Sequence, residues 1–132
     1  MGQTMDADEL KTPVAGAQRE RFAGMQIDVG YVGDARIKRL VYPPGSRWSK
    51  HVKPHVGTDW CSHAHVGYLA QGRFVGEYSD GRVFDYQAPA IISVEPNHDS
   101  WVEGDDAVVL IQFDFQTDTL RRLGLPPTHA DR

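Results

Sequence analysis

From Phe22 onward the chain runs in short stretches of β-branched and aromatic residues. Turn-forming clusters separate them: Gly33-Asp34, Pro43-Pro44-Gly45, Ser79-Asp80-Gly81, Pro96-Asn97 and Gly104-Asp105-Asp106. That rhythm belongs to many short strands and predicts an all-β, antiparallel sandwich or barrel. The clearest period of two spans Val108 to Phe115, where Val109, Ile111, Phe113 and Phe115 make one apolar face while Gln112 and Asp114 lie on the other. Phe74, Gly76 and Tyr78 alternate with Arg73, Val75 and Glu77 ahead of Asp80-Gly81, and Val83 to Tyr86 follow. These two runs predict a hairpin closed by a tight primed turn. Thr117 is placed to cap a short helix through Leu120 and Leu123, which Gly124 ends and Pro126-Pro127 cannot continue. Residues 1–20 are polar, carry Pro13 and Gly16 and hold no sustained period, so they read as a flexible arm with one helical turn near Asp8, Glu9 and Leu10. The polar tail after Pro127 reads as disordered.

Size and charge narrow the function classes. A chain of 132 residues fits one domain with a real core. Fourteen basic and eighteen acidic residues, without long runs, give a net charge of -4, which recommends neither nucleic acid nor an anionic membrane as partner. No apolar run approaches the ~20 residues a bilayer span needs, and the start lacks a secretory pattern, so the expected location is cytoplasmic. Met1-Gly2 begins like a myristoylation signal, but Asp6 stands where a hydroxyl residue is wanted. A single cysteine, Cys61, excludes an internal disulfide and leaves three roles: a buried small apolar residue, a ligand or a reactive thiol.

The neighbours of Cys61 bear on that choice. Asp59, Cys61, His63 and His65 occupy alternate positions, and in an extended strand they share one face. Thiolate and imidazole are donors that zinc prefers, and imidazole also suits iron, copper and nickel. His51 and His55 are four apart with Pro54 between them, a spacing that needs a helix to align them, so they read as structural, with His51 a reserve ligand. His129, in the polar tail, reads as solvated. Trp48, Trp60 and Trp101 each lie within a few residues of a candidate histidine and could line a mostly apolar pocket. By parity Tyr68 faces away from His65 and reads as packing. Glu77, Glu95 and Asp99 are the carboxylates nearest these motifs, yet nothing in the sequence gives any of them a catalytic role.

Gly72, seven residues after His65, then the hairpin, then Pro96-Asn97-His98, complete a set that resembles a cupin. The likeness to small stand-alone bacterial cupins runs through residues 43–54, 57–61, 65–68 and 98–101, and covers roughly residues 22–115. It implies a cupin-type jelly-roll β-barrel (double-stranded β-helix) over residues 21–116, between the arm at 1–20 and a short helix and polar tail at 117–132. It further implies a divalent metal (zinc, iron, nickel or manganese) near the wider mouth, a small-molecule ligand or substrate, and a homodimer formed through edge strands. In that family three histidines usually share the metal with a glutamate, and here two registers compete. If His63 and His65 are the family pair, Leu69 and Ala70 stand where the glutamate belongs. If Gly72 sets the register, His65 takes the glutamate's place and the ligands become Asp59, Cys61, His65 and His98. Both keep His65 and His98, and the set adopted is His65 and His98 completed by His63 and Cys61. Asn97 replaces the usual glycine and can hold the same left-handed turn, and Ala88-Pro89-Ala90 replaces the usual Pro-Gly-Asp. The expected function is a metal-dependent enzyme acting on a small polar molecule, the alternatives being a non-catalytic small-ligand or metal-sensing module and, more weakly, a redox thiol at Cys61. Three protein ligands would leave an open position, whereas four would close the site.

Overall fold

The computed structural model describes residues 12–125. The helical turn near Leu10 and the tail after Pro127 lie outside them. Nine strands follow in order: β1 (Gln18–Phe22), β2 (Met25–Val32), β3 (Ala35–Tyr42), β4 (His65–Gln71), β5 (Arg73–Tyr78), β6 (Val83–Gln87), β7 (Ala90–Val94), β8 (His98–Glu103) and β9 (Val108–Phe115). They form a six-stranded sheet, β1-β2-β3-β9-β4-β7, and a three-stranded sheet, β6-β5-β8. Every pairing is antiparallel. The mostly-β, antiparallel jelly-roll expectation therefore holds. Among the described residues no helix is long and apolar enough to cross a membrane.

The core lies between the sheets, where Leu69, Ile92, Val94, Val108 and Leu110 meet Phe74 and Phe84. Its composition corrects the reading of β9. Leu110, Gln112 and Asp114 are the buried, inward side of that strand, and Phe113 is 46% exposed on the outside. The apolar alternation is real but lies on the side away from this core, where Val109 is covered and Phe113 is exposed. The inner side turns polar where it leaves the core and enters the site described below, and there Gln112 and Asp114 have partners that make their burial affordable.

Strand β1 starts at Gln18, inside the segment read as an arm. No apolar period marks it, because charge holds it in place. Arg19 grips the buried Asp28 of β2 through Nε (2.7 Å) and Nη2 (3.0 Å), and Arg39 of β3 reaches the same carboxylate at 2.8 Å. The pair of carboxylate contacts by Arg19 has the bidentate form that makes such ion pairs specific. The hairpin β5–β6 forms as expected, but its turn is not a primed one. The Gly81 N–H donates to the Tyr78 carbonyl (2.9 Å), the Tyr78 N–H donates to the Arg82 carbonyl (2.8 Å), and Gly81 alone of the three loop residues takes positive φ (94°). This is a three-residue loop ending in a glycine bulge.

Two helical features depart from expectation. A π-helical turn (Trp48–Val52) runs into α1 (Lys53–Val56), with Pro54 in its first turn, where the missing N–H costs nothing. The terminal helix α2 (Thr119–Arg122) is preceded by Asp118 at φ 59° rather than capped by Thr117. The Thr119 hydroxyl bonds instead to the backbone of Phe115 (3.0 and 3.1 Å). Gly124 ends it as expected, its N–H on the Arg121 carbonyl and the Leu125 N–H on that of Leu120.

Candidate metal centre

His65 opens β4 in the six-stranded sheet and His98 opens β8 in the three-stranded sheet, so the two histidines enter the interior from opposite layers. Cys61 precedes β4 and is tied by its backbone to the second histidine. Its N–H donates to the His98 carbonyl (2.8 Å), and its carbonyl accepts from Asn97 (2.6 Å) and His98 (3.3 Å). Asn97 adopts φ 65°, the left-handed conformation its side chain tolerates. The result places donor atoms of Cys61, His65 and His98 within 4.8 Å of one another, with all three residues buried.

Hydrogen bonds fix which nitrogen of each ring is available. The Asp114 carboxylate accepts from Arg36 (2.7 Å) and Lys38 (3.1 Å), and can only accept from Gln112 Nε2 (2.7 Å). Gln112 must therefore turn its Oε1 to His65 Nδ1 at 2.6 Å, which makes Nδ1 the protonated nitrogen and leaves Nε2 with its lone pair. His98 Nδ1 donates to the Glu95 carbonyl (2.6 Å), and its buried Nε2 has no hydrogen-bond partner. Burial, reinforced by His98, lowers the pKa of His65 to about 3. Burial also lowers His98 to about 4, although the bond to Glu95 opposes the shift. Both rings are neutral at pH 7 and carry free lone pairs. Burial pushes the Cys61 thiol up to about 11, with a backbone bond from His63 pulling the other way and Asp99 adding to the rise.

These donors fit a metal ion in kind and closely in position. One sulfur and two imidazole nitrogens form a set zinc accepts. Three donors within 4.8 Å of one another can lie no more than about 2.8 Å from a common centre, so zinc bonds of ~2.0–2.3 Å require an inward shift of less than about one ångström.

The other sequence candidates are not in that group of three. His63 is exposed and lines the adjacent cavity, outside the group of three. The Asp59 side chain is 91% exposed, 3.9 Å from Lys53. Parity fails for both because residues 62–64 are not strand, and only Cys61 makes an isolated bridge, to His98. His51 Nδ1 accepts from the Arg47 N–H (3.1 Å), and His55 packs edge-on against Phe22. Tyr68 is 42% exposed on the face of β4 opposite His65. Asp99 is committed to Arg47 and to the Ser49 N–H, and Glu95 to Arg82.

Beside the centre lies a cavity of ≈ 380 Å³ into which Cys61 and His65 both face. Trp48 and Trp101 line it, as expected of them, together with Met25, Ile27, Leu40 and Val52; Trp60 does not. Sequence reasoning missed Lys38, Tyr42 and Gln112, which also line the cavity, and Asp114 behind them. The one available signal was the polar alternation of Gln112 and Asp114 along β9.

Solved structures share this fold. A cupin-like protein from Thermotoga maritima superposes with a TM-score of 0.53 at 15% identity, over 98% of this chain and 90% of that one. KdgF from a Halomonas species gives 0.51 at 16%, over 89% and 97%. A protein from Neisseria meningitidis gives 0.50 at 10%, over 86% and 100%. No family model matches the sequence, and no curated protein is detectably similar to it.

Proposed function

With a cupin barrel as the scaffold, we propose that the protein holds a divalent metal ion between Cys61, His65 and His98 and uses it on a small molecule bound in the adjoining cavity. The observation that carries this reading is His98 Nε2, an imidazole lone pair buried without a partner beside a second imidazole and a thiol. An unpaired buried polar atom is costly and calls for an explanation, and a cation supplies one. Thiolate and imidazole favour zinc over manganese, with iron and nickel between.

Each residue has a definite task. His65 and His98 present Nε2, oriented by Gln112 and by the Glu95 carbonyl. Cys61 must lose its proton, so loading competes with protonation and strengthens as pH rises. Three protein ligands leave a coordination position open, and an ion so held supplies Lewis acidity to whatever the cavity admits. A non-catalytic small-ligand module is the second reading. It is supported by a cavity lining that, among the described residues, includes no carboxylate, the commonest general base after histidine.

Elemental analysis of untagged protein tests the proposal. Wild type and His63→Ala should carry about one ion per chain, while His65→Ala and His98→Ala should retain less than a fifth of that. Equal metal content in all four would remove the centre.

A further inference from the structure

We propose that the cavity takes a small hydrophobic monocarboxylate, a ligand with an apolar body and one anionic head. This deepens the metal reading by naming what shares the cavity with the ion, and its evidence is separate.

The first observation is the contrast between the chain and its cavity. The protein has eighteen acidic residues and a net charge of -4, yet among the described residues no Asp or Glu lines the cavity, and Lys38 is the one lysine or arginine that does. Asp114 does not cancel that charge. The single carboxylate lies between Arg36 and Lys38, so the group of three keeps one positive charge. A cation in a poorly hydrated wall favours an anion beside it far more than it would in water.

The second observation is that most of the lining is hydrocarbon: besides Lys38, Tyr42 and the centre itself, its polar groups are Ser46, Ser62, Ser100 and His63 together with two that are already engaged. Both ends of the Gln112 amide are engaged, by His65 and by Asp114, and the Thr58 hydroxyl donates to the Trp60 carbonyl. Met25, Ile27, Leu40, Trp48, Val52 and Trp101 present apolar surface. A polyol here would bury hydroxyls against hydrocarbon along most of the lining. An apolar body suits these walls, and one head satisfies Lys38. Tyr42, which also lines the cavity, offers its hydroxyl as a second donor to the head.

Trp48 and Trp101 report occupancy directly. Their fluorescence is titrated with phenylacetate, with the uncharged phenylacetamide and with gluconate, which keeps the head but replaces the apolar body with hydroxyls. Phenylacetate should bind at least tenfold more tightly than either comparator, and Lys38→Met should bring it to within twofold of the amide. Val56 lines the cavity at a position 46% exposed, so Val56→Glu changes its charge without touching the core. That variant should weaken phenylacetate at least fivefold and spare phenylacetamide. Gluconate or phenylacetamide binding as tightly as phenylacetate overturns the proposal, as does an unchanged phenylacetate affinity in both variants. Metal content is measured on the same samples. Absent metal with the discrimination intact sinks the metal centre alone, and bound metal with no discrimination sinks the ligand class alone.

Discussion

Gln112 is the hinge between a surface ion pair and a candidate ligand, and Gln112→Leu isolates that role. Leucine nearly conserves volume, so the substitution removes two hydrogen bonds without opening a cavity. The His65 Nδ1–H, buried and bonded at 2.6 Å, loses its acceptor, and Asp114 loses one of three donors while keeping Arg36 and Lys38. A buried donor left unpaired costs ~1–3 kcal/mol, and part of that is regained because the amide no longer has to be desolvated. A net loss of about 2 kcal/mol corresponds to roughly 6–10 °C in Tm for a domain of this size. The effect on metal is separable from the effect on stability. Without Gln112 nothing holds the proton on Nδ1 or fixes the ring, and losing such an orienting partner weakens metal binding ~10–100-fold. Thermal melts in chelator measure the first quantity, and competition for zinc against a chromophoric chelator measures the second. If zinc affinity stays within twofold of wild type while Tm falls as calculated, Gln112 is a packing residue and the orientation argument is wrong.

Two further outcomes follow from the same geometry. In chelator-treated protein His65 and His98 stay neutral in the fold down to about 3 and about 4, whereas the unfolded chain takes up their protons near 6.5. Stability is then complete above pH ~6.5 and falls as pH drops toward the folded values, by at most ~1.4 kcal/mol per pH unit for each histidine; a urea midpoint that is flat from pH 7 to pH 5 would contradict their burial as neutral rings. The face assignment of β9 is tested by Leu110→Ala, at a position 0% exposed, against Phe113→Ala, at one 46% exposed. The first should cost ~2–5 kcal/mol and the second clearly less, with the reverse order in equilibrium unfolding refuting the assignment.

Local chemistry made much of this fold legible. Strand rhythm, the β5–β6 hairpin, the Asn97 turn and the glycine ending α2 each depend on a few adjacent residues, and each appears. So does the convergence of His65 and His98, which the family-like spacing of the motifs carried. What failed required partners distant in sequence. Strand β9 shows its two faces in sequence but not which one is buried: Asp114 is buried against Arg36 and Lys38, more than seventy residues earlier, and Gln112 between Asp114 and His65. The placement of His63 is a local matter instead: residues 62–64 leave the strand, and its side chain lines the cavity beside Cys61 and His65. Lys38 left no signal at all, because a lysine lining a cavity and one in solvent look alike in sequence.

The two imidazoles belong to different layers of the barrel, one at the start of β4 and the other at the start of β8. An ion between them would act as a rivet through both layers rather than a guest in a pocket. Its escape would require the layers to part or a ring to swing away from the acceptor that anchors it, and neither is a loop motion. Exchange should accordingly be slow and track the opening of the barrel, so that the rate at which a radioactive tracer ion replaces the bound one becomes a clock for the breathing of the whole fold.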